Sequence, residues 1–452
     1  MRAVCWYCVT ARSPMISSNA RSGPVPCYRL VITVCLAFIS GAAQGAGWPD
    51  DWQVGGHLKY DFYATRYAAD NVFSTAGEDT PIDQIFNLRL TAKTERVSKW
   101  DAVVHYEAAA YSSDSVAVLR VTGLSPVYSA YGIPNDDARL FDLTSVAKGD
   151  GQNDGKTVLY HRLDRASVGY TTADTVVRFG RQAVSWGNGL VFQPMDIFNP
   201  FSPAAIDKEY KTGDDMLYIQ YLLASGDDIQ SVLIPRRDVS SGDLESDQSS
   251  LAIKYHTIHG ATDMDVLLSR HYADNLIALG FASDWKGAVV RGDIANVWTA
   301  DGSKPSGVVS VNYSWMWRDY NVSGYLEYYR NGYGISDEDY SPSALAGKPD
   351  LLDRLSRGEI FTLGRDYLAG GLSIEFTPRW LFNPLLINNI NDGSWLTQWL
   401  ASFDWKQDLT LLLGANIPVG GNGTEYGGIP TSTPGVYDGG GRSVFLQLAY
   451  YF

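Results

Sequence analysis

The sequence predicts an all-β fold, a transmembrane antiparallel up-and-down β-barrel of about 18 strands, within a range of 16–18. Three observations predict it. Long runs alternate in polarity with a period of two. The connections between those runs sort by length: every even one is short and every long one is odd, although two odd ones, near Ala273 and near Asp392, are short as well. The last run is aromatic and ends at Phe452.

Alternation is clearest in residues 309–318. Val309, Val311, Tyr313, Trp315 and Trp317 fall on one face, and Ser310, Asn312, Ser314, Met316 and Arg318 on the other. A period of two is a strand between two different environments. Lipid-spanning strands need about 9–11 residues, against about 5–6 in ordinary globular proteins. Runs of that length occur at 52–63, 83–94, 100–111, 157–171, 175–185, 214–224, 228–238, 249–259, 263–271, 275–284, 288–298, 307–317, 321–331, 367–377, 381–390, 395–404, 409–418 and 442–452. Residues 157–171 fit least well, because Arg162, Asp164 and Arg165 spoil a two-face split.

Numbered from the N-terminus, the even connections are all short, as at Glu95–Lys99, Thr172–Asp174 and Trp285–Gly287. The odd ones hold every long segment: 64–82, 112–156, 186–213, 239–248, 299–306, 332–366 and 419–441. A soluble sandwich has no reason to sort loops by parity. A bacterial barrel does, with short periplasmic turns, long extracellular loops and both termini in the periplasm. In the closing strand, Val444, Leu446, Leu448, Tyr450 and Phe452 alternate with Ser443, Phe445, Gln447, Ala449 and Tyr451.

Export is expected too. Arg21 and Arg29 precede an apolar run from Leu30 to Ile39, and small residues follow it to Ala46. The run is too short to span a bilayer as a helix and reads as a signal peptide over residues 1–45, cleaved between 43 and 46. Met15 is a candidate start. Residues 46–452 then form one barrel domain. All four cysteines, Cys5, Cys8, Cys27 and Cys35, precede the cleavage site, so no disulfide holds the mature chain.

The whole chain has 36 basic and 50 acidic residues; the first 45 hold four Arg and no acid, leaving −18 on the remainder. That balance argues against nucleic acid as a partner. It is compatible with a membrane, since charges can sit in lumen and loops. Enzyme motifs are absent: there is no Gly-x-Ser-x-Gly, no P-loop and no His-Glu-x-x-His. Asp150 to Gly155 resembles the start of a calcium loop, but His161 stands where the twelfth-position Glu belongs, and it reads as a polar outer loop. No cofactor is expected.

The layout of signal, ~10-residue strands, short inner turns and long outer loops resembles Gram-negative outer-membrane barrels of porin type. The closing strand resembles their assembly signal, which implies outer-membrane lipid and the barrel-assembly machinery as partners. The resemblance is architectural and covers nearly all of the mature chain. It implies a channel for passive or facilitated diffusion of small polar solutes or ions. It also implies that the third outer loop, 186–213, folds into the lumen and narrows it. That loop is rich in Leu190, Val191, Phe192, Met195, Ile197, Phe198, Phe201 and Ile206, and Pro194, Pro200 and Pro203 exclude a central strand. Asp196, Asp207, Lys208, Glu209 and Lys211 are the constriction candidates. Lumen-wall candidates are Lys59, Arg89, Lys93, Arg178, Lys254, Arg291 and Arg318, with the acids Asp61, Glu107, Asp293 and Glu327. Two rival readings share the fold: an export channel for a polysaccharide or other polymer, favoured by inward Tyr325, Tyr329 and Tyr451, and a barrel-type enzyme or structural protein. A short helix is expected at 349–357. Oligomeric state is not legible.

Overall fold

The computed structural model describes residues 52–94, 99–121, 137–148 and 155–452. The expected signal peptide, the Met15 start and the loop from Asp150 to Asp154 lie outside the described residues.

Eighteen antiparallel strands close into a barrel. They are β1 (Trp52–Arg66), β2 (Ile82–Thr94), β3 (Trp100–Ser113), β4 (Thr157–Thr171), β5 (Thr175–Gln182), β6 (Asp214–Leu222), β7 (Asp228–Ile234), β8 (Ser250–His259) and β9 (Thr262–His271), followed by β10 (Asp274–Trp285), β11 (Ala288–Thr299), β12 (Gly302–Trp317), β13 (Tyr320–Arg330), β14 (Asp366–Thr377), β15 (Trp380–Asn389), β16 (Trp395–Lys406), β17 (Leu409–Val419) and β18 (Arg442–Tyr451). Each pairs with its sequence neighbours, and β18 pairs back onto β1 from His57↔Tyr451 to Arg66↔Arg442. Phe452 adds one more step, donating its N–H to Gly56 O at 3.0 Å and accepting from Gly56 N–H at 2.9 Å. Closure removes every edge from the main circuit, which an aromatic-rich sheet needs.

The period-two pattern explains both faces. On β12, Val309, Val311, Tyr313, Trp315 and Trp317 point outward and are exposed, while Val308 and Ser310 are buried inside. Leu58, Phe86, Phe179, Leu251, Leu268, Leu279, Ile294, Leu326, Trp399, Leu413 and Val444 continue this exposed apolar band around the wall. So continuous a band far exceeds the few hundred Å² a water-facing surface tolerates, and it calls for lipid. No described helix is long and apolar enough to cross a membrane.

One expected long connection is a tight turn. Residues 299–306 are expected as a long outer loop between strands 288–298 and 307–317, yet β12 begins at Gly302 and pairs Thr299↔Gly302. Pro305 is tolerated because β12 pairs with β13 only from Gly307 onward, so its missing N–H costs no ladder bond there. The strand at 157–171 is present as expected, and its broken pattern has a cause. Opposite β3 the register shifts between His105 and Tyr106, which face Arg165 and Leu163, leaving Asp164 as the extra residue of a bulge.

β5 is short, and its end directs the chain inward. Gly180 has φ +118°, and a Cβ there would stand 2.2 Å from the Ala166 carbonyl oxygen. Beyond Gln182 the chain leaves the wall as the 183–213 segment, here the inward loop. The upper half of β4 pairs instead with a short strand, Thr144–Lys148. Beside it, Phe141 accepts from Arg181 and donates to Asp215, a buried ion pair at the β5–β6 seam.

Among the described residues, four short helices sit in the long loops: α1 (Val72–Thr75), α2 (Asp114–Val121), α3 (Pro342–Ala346) and α4 (Pro349–Ser356). The apolar side of α4, Leu351 and Leu355, is buried against Trp186, Met195, Ile197 and Phe198 of the inward loop and against the inner wall at Leu276, Ala295 and Val297. A second cluster joins Val191, Phe192 and Ala204 to Val308, Tyr329, Tyr367, Ile387 and Leu396. Apolar side chains of the loop are thus removed from water inside the barrel, as its composition requires.

Candidate functional site

The inward loop is held by a series of wall residues taken in turn around the barrel. Trp186 Nε1 donates to Gln230 on β7 at 2.8 Å. Asn188 gives its main-chain N–H and its side-chain amide to Asp293 on β11, at 2.7 and 2.8 Å. Glu327 on β13 accepts three consecutive main-chain N–H groups, from Leu190, Val191 and Phe192, at 2.6, 3.0 and 2.7 Å. A carboxylate suits this place because the turn leaves three donors that no strand can satisfy. Gly189 permits the turn, since a Cβ there would lie 1.8 Å from the Phe192 carbonyl oxygen. Phe192 then stacks on Tyr329, with centroids 4.4 Å apart.

The second half of the loop reaches the opposite wall. Ala204 O accepts from Gln398 on β16 at 2.9 Å. Lys59 on β1 binds Asp207 at 2.6 Å and Glu209 at 2.5 Å. Gln447 and Tyr451 on β18 reach the same two carboxylates at 3.4 and 3.1 Å. Tyr210 lies under the Arg89 guanidinium at 4.1 Å, between His57 and His105. Asn188 is therefore held at β11 and Tyr210 at β2, nine strands away in a ring of eighteen. The loop crosses the full width of the lumen.

The constriction candidates separate into two groups. Asp207, Lys208 and Glu209 are exposed to the lumen. Asp196 and Lys211 are not: they are buried and bind each other at 2.6 Å. Lys211 also donates to Val184 O at 2.6 Å and Ser185 Oγ at 3.0 Å, so the pair ties the loop's middle to both of its ends. Burial raises the Asp196 carboxyl to about 6 despite the lysine beside it. Their expected pore-facing position is corrected for this reason: the apolar packing around Trp186 and Met195 encloses them.

The wall candidates divide as well. Lys59 and Glu327 are loop anchors. Arg89 and Glu107 belong to a buried network in which Arg89 binds Asp164 at 2.7 Å and Glu107 binds Arg162 at 2.6 Å. Arg165 joins it through Asp164 at 2.8 Å and also donates to Lys211 O. Arg178 pairs with Asp101 at 3.0 Å, and Lys254 with Asp265 at 3.1 Å. Asp61 accepts from Gln447 at 2.8 Å. Lys93 is exposed and Arg291 half-buried, and neither forms an ion pair among the described residues. Arg318 is off the wall, in the β12–β13 turn with φ 56°, its guanidinium over Trp317 at 5.5 Å. The remaining cations concentrate on β1–β4, at Lys59, Arg89, Arg162 and Arg165, while Asp293 and Glu327 face them from β11 and β13. Each of those cations is already held by acids on its own side, Lys59 by Asp207 and Glu209 and the three arginines by Glu107 and Asp164.

Sequence reasoning missed Tyr210, Gln398 and Gln447. Nothing in the alternation marks them as loop partners. The broken pattern at Arg162, Asp164 and Arg165 was the visible trace of the buried network.

No known family profile matches this sequence, and no curated protein is similar to it. Solved structures do match in fold. OccK5 (OpdH) of Pseudomonas aeruginosa superposes with a TM-score of 0.52 at 8% identity, covering 90% of this chain and 99% of that one. The fold is that of a porin-type outer-membrane β-barrel. A BenF-like porin from Pseudomonas fluorescens Pf-5 also aligns, with a TM-score of 0.48 at 8% identity over 90% of this chain and 100% of that one. In this porin-type barrel the inward loop follows the fifth strand, between β5 and β6.

Proposed function

We propose that this protein is an outer-membrane channel for passive or facilitated diffusion of small polar solutes or ions, with the inward loop as its constriction. One observation carries the reading: the loop spans the lumen from Asp293 to Arg89, yet leaves Asp207, Lys208 and Glu209 in water. A barrel of 16–18 strands is wide enough to hold an aqueous path beside such a loop. Solute moves down its gradient past fixed charges, and no cofactor is needed. The long loops face the outside, the short turns and both termini face the periplasm, and the strand ending at Phe452 is read by the assembly machinery.

The polymer-export reading loses its main support. Tyr329 is buried under Phe192, and Tyr451 is bound to Glu209, so these two do not form an open aromatic row. Planar-bilayer recording of the purified barrel tests the proposal. Discrete conductance steps are expected, and deletion of residues 188–205 is expected to enlarge them. A barrel intact by circular dichroism that conducts nothing overturns the channel. Unchanged steps after the deletion overturn the constriction.

A further inference from the structure

The seam that closes the barrel ends in a like-charge pair. At its long-loop end Arg66 on β1 stands directly opposite Arg442 on β18. Both side chains are exposed. The strand period puts them on the outward face. One step below, Ala64 faces Val444, and one step further Phe62 faces Leu446. Val444 belongs to the exposed apolar band, and Ile82, opposite Ala64 on β2, is exposed on the same face. The two guanidinium groups therefore top a patch of wall that lipid covers.

Residues directly opposed across a ladder hold their Cβ atoms about 4.5–5.5 Å apart, and like charges there are destabilising. A carboxylate nearby would relieve the pair. The same rim shows the protein doing this elsewhere. Arg270 on β9 and Arg330 on β13 also point outward, above the exposed Leu268 and Tyr328. Each has its own acid, Asp247 at 2.9 Å and Asp366 at 3.1 Å. Arg66 and Arg442 have no carboxylate within ion-pair distance among the described residues, in a chain whose overall charge is −14.

The position of the pair then says where its counter-charge comes from. The neighbours that turn inward at this height, Thr65 and Ser443, separate the arginines from the lumen. An anion must approach from the membrane side. An arginine stem lies along apolar surface while its head stays at the polar interface, and its planar fork matches phosphate oxygens.

We propose that Arg66 and Arg442 bind the phosphorylated headgroup of an anionic membrane lipid, whose acyl chains lie on the β1–β18 wall beneath them. One phosphate bridges both guanidinium groups and converts their repulsion into a shared contact. The inference rests on the membrane reading of the exposed band and is independent of conduction.

The test titrates the full barrel in non-ionic detergent with phosphatidic acid or phosphatidylcholine and counts bound lipid by native mass spectrometry. Wild type is expected to retain phosphatidic acid with an affinity roughly tenfold above that of an Arg66→Gln/Arg442→Gln variant. An Arg270→Gln/Arg330→Gln variant loses the same charge at arginines that already have acids, and it is expected to bind as wild type does. Phosphatidylcholine, whose own ammonium neutralises its phosphate, should not distinguish the three. Equal affinity for phosphatidic acid in wild type and the Arg66/Arg442 variant, or equal losses in the two double variants, overturns the site. Urea midpoints in pure phosphatidylcholine vesicles supply a second measurement. With no anionic lipid to bridge the pair, removing both charges should leave the barrel at least as stable as wild type. A lower midpoint would mean that a protein group already balances the pair, which also overturns the site. Failure of wild type to insert into those vesicles would instead overturn the membrane reading, and the site with it.

Discussion

Lys59 Nζ lies 2.6 Å from Asp207 Oδ2, joining the first strand of the barrel to the far half of a loop that left the wall between β5 and β6. The same ammonium holds Glu209 at 2.5 Å. One buried cation thus fixes two carboxylates beside the β1–β18 seam, where Gln447 and Tyr451 also reach them.

Replacing Lys59 by Met keeps the apolar stem and removes the charge. Asp207 and Glu209 are then left without their cation, and this half of the loop is expected to leave the wall. Single-channel recording should show larger current fluctuations and a shift toward cation preference, because two acids become unpaired. Unaltered noise and selectivity would show that Lys59 does not hold the loop.

Glu327→Gln tests the other anchor. The amide keeps one acceptor but loses the charge that three N–H groups share. Bonds to a charged acceptor are worth about 1.5–3 kcal/mol each against about 1 for neutral ones. A loss on the order of 2 kcal/mol in unfolding free energy is expected, read by urea titration in lipid vesicles. Faster proteolysis near Leu190 should accompany it.

Glu107→Leu removes the acid between Arg89 and Arg162. Breaking a buried ion network costs roughly 3–5 kcal/mol, because uncompensated charge stays behind. The measured quantity is again the denaturant midpoint. A change below about 1 kcal/mol would mean that Asp164 alone balances the three arginines.

The 420–441 loop should dock in a pH-dependent way. Glu425 is buried and accepts from Tyr367 Oη, Asn389 Nδ2 and Leu363 N–H. Burial lifts its carboxyl to about 7, with the Asp392 charge adding to the rise. A carboxyl raised in the folded state keeps its proton where the unfolded chain has lost it, so docking weakens as pH rises from about 4.5 to about 7. Amide exchange across 420–441 is expected to be slower at pH 5 than at pH 8 after correction for intrinsic rates. Glu425→Gln should abolish that difference.

Much of the fold was legible because lipid on one side and water or polar packing on the other imposes a period of two, and loop parity adds direction. The bounds of β11 and of the closing strand follow from that. Residues 299–306 differ from the expected loop because β12 extends to Gly302 along β11 alone, while its pairing with β13 begins only at Gly307. For the site, the apolar content of 186–213 already demanded an interior position. Which loop charges meet water was not legible. Asp196 and Asp207 look alike in sequence; packing around Trp186 encloses the first, and Lys59 holds the second at the lumen surface. Wall partners such as Gln398 sit in strands whose local pattern is satisfied whether or not a loop touches them.

Because one loop is bound to β11 and β13 on one side and to β1 and β2 on the other, it acts as a spoke across a hoop. A cylinder of strands can flatten into an ellipse at little cost, since each hinge between strands turns only slightly. With the spoke in place, flattening along that diameter must stretch Asp293–Asn188 or Lys59–Asp207. Lateral pressure from the bilayer would then be felt at the narrowest level of the lumen, and the wall and the aperture would respond as one mechanical unit.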